Sequence, residues 1–398
     1  MRAVPSKFPL FIFEALGSLA CGFYGNFVFF MFRDRHDFGD FGNLCVAALM
    51  GLVIALASWW SGKLAQRRGC FRAMVSGLVG MIVALVVGAC DSSLPVQWAV
   101  MVVWAASQFM VWPALEALVT EGVVGTARAR IVGIYSVVWA GCSALSYFFG
   151  GAVFERLGGG SIFWLPPGIH VLQLMILWKL WRSASHRPSQ SAATSVPISA
   201  ESRDVFQKGI ATEQRPSPRS FQRMAWLANP FACVAAFALL AMIPELARRM
   251  GLSTTIAGLF CSIWFFARLA AFVMMWQWPG WHYRFRWLLG GYMLLILGFA
   301  TVLTADGLLQ LGLGQVAFGL AVGVLYYASL FYSMDVGEAR AEQGGIHEAM
   351  MGAGNFVGPG IGALSLLIAP HAPHAGVWSV SGILVIGLLV LVGNRLKG

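Results

Sequence analysis

The sequence predicts an all-α integral membrane protein: twelve transmembrane helices in two six-helix bundles related by a pseudo-twofold axis. Three observations carry this. Long unbroken apolar runs recur about a dozen times. Nearly all Lys and Arg falls on alternate connections between them, and one long polar stretch divides the runs six and six. The chain is 58% hydrophobic and only 11% charged, with a mean hydropathy of +0.73, whereas soluble domains carry about 25% charged residues. A β-barrel is excluded because its strands alternate apolar and polar residues, and these runs do not. Open sheet facing lipid is excluded because its backbone groups would find no partner.

A crossing helix needs about 20 mostly apolar residues, and that length places the spans in order. The first half holds 9–32, 41–61, 73–90, 95–119, 131–153 and 161–181. The second holds 224–247, 254–277, 285–304, 308–332, 346–369 and 376–393. Two connections are tight. Asp91 with Ser92, Ser93 and Pro95, and Asp306 with Gly307, read as turns that split what would otherwise be overlong runs. Residues 182–222 contain Pro188, Pro197, Pro216 and Pro218 and few apolar side chains. They cannot bury enough surface to fold alone, so a cytoplasmic linker is expected between bundles 1–181 and 223–398.

Charge sets the orientation. Of 27 Lys and Arg, 21 fall on the side of the N-terminus, five on the other side, and Arg268 alone lies inside a span. Cationic loops stay cytoplasmic, so both termini are expected in the cytoplasm, in a bacterial inner membrane. Spread over membrane-facing loops, the net charge of +10 argues for lipid contact and against nucleic acid. No cleaved signal peptide is expected, because the first apolar run is too long and lacks a small-residue cleavage site. The seven Cys lie in or beside spans without a CxxC pair and read as packing residues, not as a metal site. Trp clusters at span ends, as at Trp59, Trp60, Trp178 and Trp281, and reads as interface anchoring.

The halves repeat. Gly133, Cys142, Ser146, Tyr147, Gly150 and Gly151 in span five match Gly345, Gly354, Gly358, Pro359, Gly362 and Ala363 in span eleven at a constant offset of 212, which also carries Arg72 onto Arg284. Close-spaced glycines let helix backbones approach in lipid, where no hydrophobic force drives helices together. Gly358-Pro359 also removes a helical hydrogen bond and permits a kink.

The loop after span two reads Gly62-Lys63-Leu64-Ala65-Gln66-Arg67-Arg68-Gly69-Cys70-Phe71-Arg72. It resembles the loop signature of the major facilitator superfamily, G-x-L-a-D-r-x-G-r-k, at Gly62, Leu64, Ala65, Arg67 and Gly69. Gln66 replaces the family's Asp, and Cys70 and Phe71 replace basic residues. The series Gly345-x8-Gly354-x3-Gly358-Pro359-x2-Gly362-Ala363 is similar to a second pattern of that family, which usually marks span five of antiporters. The resemblance implies a transporter fold whose cavity is lined by helices one, four, seven and ten. It also implies a gate at the loop of Gly62, Arg67, Gly69 and Arg72, where the cations would pair with Glu116 or Glu121.

An ionisable side chain inside a span is expensive and is a functional candidate by default. Arg268 lies about nine residues from the end of span eight, roughly 13 Å deep at 1.5 Å per residue. Cys261, Trp264, Phe265 and Phe272 are its helical neighbours. It would grip a carboxylate or phosphate of an anionic solute, or form a structural ion pair. Glu14 and Glu116 should sit at similar depth, as proton carriers or as partners of Arg67, Arg72 or Arg130. Tyr24, Asn26, Gln108, Gln315, Tyr326, Tyr327 and Asn355 complete the candidates, each for solute contact or for hydrogen bonding between helices. Asp335, Glu338, Glu342, His347 and Glu348 flank the connection between spans ten and eleven. His347 and Glu348 would join the inner gate or sense protons.

The expected function is secondary active transport of a small solute by alternating access, coupled to protons, to another ion or to nothing, in a monomer without cofactor, metal or catalytic residues. No phosphate-binding loop of the GxxxxGK[ST] type is present to use ATP. The alternatives are a membrane-embedded enzyme and a sensor with a transporter-like fold. For the enzyme, the one close His pair, His371 and His374, lacks a third ligand.

Overall fold

A computed structural model describes residues 7–123, 125–185, 218–336, 341–372 and 374–397. Among these residues there is no strand, and twelve helices are long and apolar enough to cross a membrane. They are α1 (Phe8–His36), α2 (Asp40–Arg68), α3 (Cys70–Cys90), α4 (Leu94–Thr120), α5 (Gly125–Leu157), α6 (Ser161–Ser185), α7 (Pro218–Arg249), α8 (Thr254–Gln277), α9 (Phe285–Leu303), α10 (Leu308–Val336), α11 (Ala341–Ile368) and α12 (Ala375–Lys397). Most overrun the expected spans by a few residues, because polar ends remain helical where the chain enters the headgroup layer. Of the expected linker, residues 186–217 lie outside the described residues. So do Glu338, Arg340 and the side chains of Arg128, Asp335 and Glu342.

The turns follow from local chemistry. The Asp91 carboxylate accepts the Ser93 N–H at 2.7 Å, which closes the α3–α4 turn. Ser253 caps α8 by accepting the Ile256 N–H at 3.3 Å. Gly69, between α2 and α3, sits at φ +88°, a region open to glycine at little cost. Trp281, expected as an interface anchor, is instead 2% exposed. It closes a 3-10 turn (Pro279–Trp281), donating its indole N–H to the Met275 carbonyl at 2.9 Å.

The bundles are built alike. In the first, α1 packs on α5 and α6, α3 on α4 and α6, and α2 on α4; in the second, α7 packs on α11 and α12, α9 on α10 and α12, and α8 on α10. The two meet along α2–α11 and α5–α8, pairs that a twofold axis exchanges. The 212-residue offset reappears in three dimensions. The Ser146 hydroxyl of α5 donates to the Leu19 carbonyl of α1 at 3.0 Å. Its counterpart Gly358 in α11 backs directly onto the Val234 carbonyl of α7. Gly354 lies against the Pro230 carbonyl of α7, and Gly362 faces Leu44 of α2. α3, α6, α9 and α12 present apolar side chains outward, among them Val83, Met175, Leu297 and Leu389.

An even number of crossings puts both termini on one face, here the terminal face. The opposite, far face is latched between bundles. Arg33 at the end of α1 donates to the Pro244 carbonyl of α7 at 3.0 Å and to the Thr254 hydroxyl of α8 at 3.4 Å. Glu155 of α5 accepts the Thr255 N–H at 2.8 Å.

Candidate functional site

Arg268 lies on α8 at the seam with α5 and is 7% exposed. Its guanidinium carbon sits 4.4 Å from the ring centre of Trp139, which comes from the other bundle, and 4.9 and 5.3 Å from Phe265 and Trp264. Aromatic faces offset part of the cost of burying the cation. They supply no hydrogen-bond acceptor, and Nε and Nη2 have none. Among the described residues, Arg268 has no ion-pair partner. Phe272 and Tyr326 extend the aromatic wall, with ring centres 6.0 and 5.1 Å from Trp139. Cys261, which the helical spacing also placed in this wall, faces Gln315 of α10 at 3.6 Å instead.

Toward the terminal face, acids from both bundles converge. Glu14 of α1 accepts the Ser18 hydroxyl at 2.7 Å and lies near Tyr135 of α5. Glu116 of α4 lies within electrostatic reach of Glu14 and of Glu348 on α11. Tyr326 on α10 is close enough to feel Glu116, Glu348, Cys233 and Arg268. It therefore links the cation to the acids. His347 Nε2 lies 3.1 Å from the Ser329 hydroxyl and 3.4 Å from the Asn229 amide. The result is a polar cluster at the bundle seam, with one unpartnered guanidinium at one end and three carboxyls at the other, Glu14 and Glu348 buried and Glu116 half-buried.

Over residues 10–359 the sequence matches the model of the Major Facilitator Superfamily. The chain belongs to the Major Facilitator Superfamily. Two solved structures share its fold. The nucleoside transporter NupG superposes with a TM-score of 0.70 at 10% identity, covering 98% of this chain and 99% of that one. The peptide transporter POT, in complex with sulfate, gives 0.69 at 14% identity, covering 98% and 94%. Comparison with curated proteins finds no significant match. As a superfamily member with twelve membrane-capable helices, the chain is a solute transporter and an integral membrane protein.

The superfamily loop departs from expectation. Arg67 and Arg72 are exposed. Ion pairs among the described residues are Arg33–Asp34 and Arg248–Glu245, so neither loop cation reaches Glu116 or Glu121. Exposed cations keep their hydration, and pairing with the half-buried Glu116 would forfeit part of it. The carbonyls at the end of α4 are met instead by Lys7 of the same bundle, whose ammonium donates to Leu118 and Glu121 at 2.7 and 3.1 Å.

The other candidates scatter. Tyr24 packs inside the first bundle, 4.5 Å from the Trp104 ring. Gln108 and Glu14 share a cavity of about 10 Å³, the space of one water, also lined by Gln173. Asn26 and Asn355 are buried, with the Asn355 backbone against Gly51 of α2. Tyr327 turns toward Phe272 and Trp281 within its own bundle. Its neighbour Tyr326 faces the seam, because adjacent helical residues point about 100° apart. Tyr135 and Cys233 escaped sequence reasoning. Tyr135 stands four residues before Trp139, the helical spacing that puts two side chains on one face, and this was the available signal.

Proposed function

We propose that this transporter carries an anionic solute, bound through Arg268, by alternating access of its two bundles. The reading rests on one observation: a buried guanidinium at the bundle seam whose Nε and Nη2 lack acceptors. Such a group is costly without a partner, and a solute carboxylate or phosphate would supply one through paired hydrogen bonds. Rocking of one bundle against the other around a fixed central site is the matching physical scheme. The far-face latch fits a state closed on that side.

Glu14 and Glu116, joined by Glu348, are the proposed proton carriers. They are carboxyls from both bundles, Glu14 and Glu348 buried and Glu116 half-buried, grouped beside the proposed solute site. In this reading the terminal face is cytoplasmic in a bacterial inner membrane, residues 182–222 link bundles 1–181 and 223–398, and the working unit is a monomer that performs no catalysis.

Thermal-shift and counterflow screening of purified protein against solute libraries tests the site. An organic anion should raise the melting temperature of wild type, and Arg268→Ala should abolish that gain. Equal stabilisation of both proteins by the same ligand would refute the role of Arg268. Proton coupling predicts that uptake follows an imposed pH gradient and that Glu14→Gln or Glu116→Gln weakens the dependence; uptake indifferent to the gradient would remove it.

A further inference from the structure

Away from the seam, a groove of about 470 Å³ opens on the lipid-facing side between α3 and α6. Its walls are Val75 of α3 and Val171, Leu174 and Met175 of α6, and Lys179 stands at its mouth. From Val171 to Lys179 it runs about 12 Å along α6, at 1.5 Å per residue. α3 begins and α6 ends at the terminal face, so the mouth lies at the membrane boundary and the groove descends toward the hydrocarbon. The mouth is ordered by rings. Phe71 and Trp181 stack with centres 6.2 Å apart and planes 12° apart, bridging the two helices. Arg182 lies over Trp178 at 4.7 Å. Lys179, Arg182 and Arg72 are all exposed there. Neither α3 nor α6 contains a single Asp or Glu.

We propose that this groove is a specific site for an anionic glycerophospholipid, with an acyl chain along Val75, Val171 and Met175 and the phosphate on Lys179 and Arg182. Two features select this occupant. The walls are apolar and open to bilayer, which suits a chain. The mouth carries the exposed Lys179, Arg182 and Arg72 beside indoles, which suits a charged headgroup at interface depth. The site is independent of Arg268 and of the solute.

Native mass spectrometry and thermal shift of the delipidated protein test this, with phosphatidylglycerol and phosphatidylcholine of identical chains added separately and glycerol phosphate as the chain-free probe. Phosphatidylglycerol should be retained roughly fivefold better per cation than phosphatidylcholine and should raise the melting temperature further. Lys179→Gln with Arg182→Gln should remove that preference while leaving solute-induced stabilisation intact. Val171→Trp, which fills the groove and keeps the charges, should weaken retention of both lipids. Equal retention of the two lipids, a preference that survives the charge substitutions, or glycerol phosphate matching the intact lipid would each overturn the proposal.

Discussion

The two crossings that join the bundles, α2–α11 and α5–α8, are exchanged by the pseudo-twofold axis, yet they differ midway across the membrane. At α2–α11 the backbones touch: Gly51 meets the main chain of Asn355 and Phe356, and Gly352 meets Ala55. At α5–α8 the backbones also touch near the far face, where Gly151 meets Thr254 and Gly258 meets Tyr147 and Gly151, but midway across the contact is made by large side chains, with Trp139 lying over Arg268. The 212-residue offset places Leu56 of α2 opposite Arg268 in the repeat, and Leu56 is 54% exposed on the outer surface. A duplicated scaffold thus supplies two related crossings, and the buried cation has been placed on only one.

The comparison breaks most severely at Gly51. A side chain there would overlap backbone that cannot yield, so Gly51→Val should cost more than about 3 kcal/mol, the upper range for overpacking. It should appear as lost expression or a collapsed melting temperature. At the other crossing, a Cβ on Gly141 would meet only Leu269 Cδ2 at 3.8 Å. Gly141→Ala should be neutral or stabilising by up to about 1 kcal/mol. If both substitutions behaved alike, the two crossings would not differ as described.

Arg268→Met sharpens the contrast, because binding and stability should move in opposite directions. Replacing an unpaired buried cation with an apolar side chain of similar length is expected to hold or raise the ligand-free melting temperature. Loss of the gripping charge should lower affinity for an anionic solute by about 2–5 kcal/mol. A large drop in ligand-free stability would instead mark Arg268 as structural.

Arg33→Ala and Glu155→Gln probe the far-face latch. Hydrogen exchange in the segment holding Thr254 and Thr255 should quicken severalfold in both variants, since Glu155 accepts the Thr255 amide itself. Unchanged exchange would show that the far face is held by packing alone. The smallest effects belong to the terminal face. Lys7→Met removes two hydrogen bonds to the Leu118 and Glu121 carbonyls and should cost about 1 kcal/mol. Arg67→Gln and Arg72→Gln, exposed and unpaired among the described residues, should stay within about 0.5 kcal/mol in melting experiments.

Much of this was legible before any coordinates. The twelve helices follow from run length alone, because lipid leaves the backbone no other way to pair its polar groups. The 212-residue repeat anticipated the matching contacts of Ser146 on α1 and Gly358 on α7. Arg268 stood out as the one Lys or Arg inside a span. The pairing of Arg67 and Arg72 with Glu116 did not materialise, because a loop signature says which residues share a segment and nothing of whether burial compensates their lost hydration.

What the chain by itself determined, then, is which segments enter the lipid, that they come as a repeated set of six, and which few ionisable groups they carry inward. Those are consequences of local composition acting against a solvent that forms no hydrogen bonds. Only the tertiary structure decided that Trp139 covers Arg268, that Tyr326 and not Tyr327 turns to the seam, and that Glu14, Glu116 and Glu348 gather from three helices. Such encounters depend on how each helix is rotated about its axis and on how closely neighbouring backbones approach, and both are set by the packing of all twelve helices together.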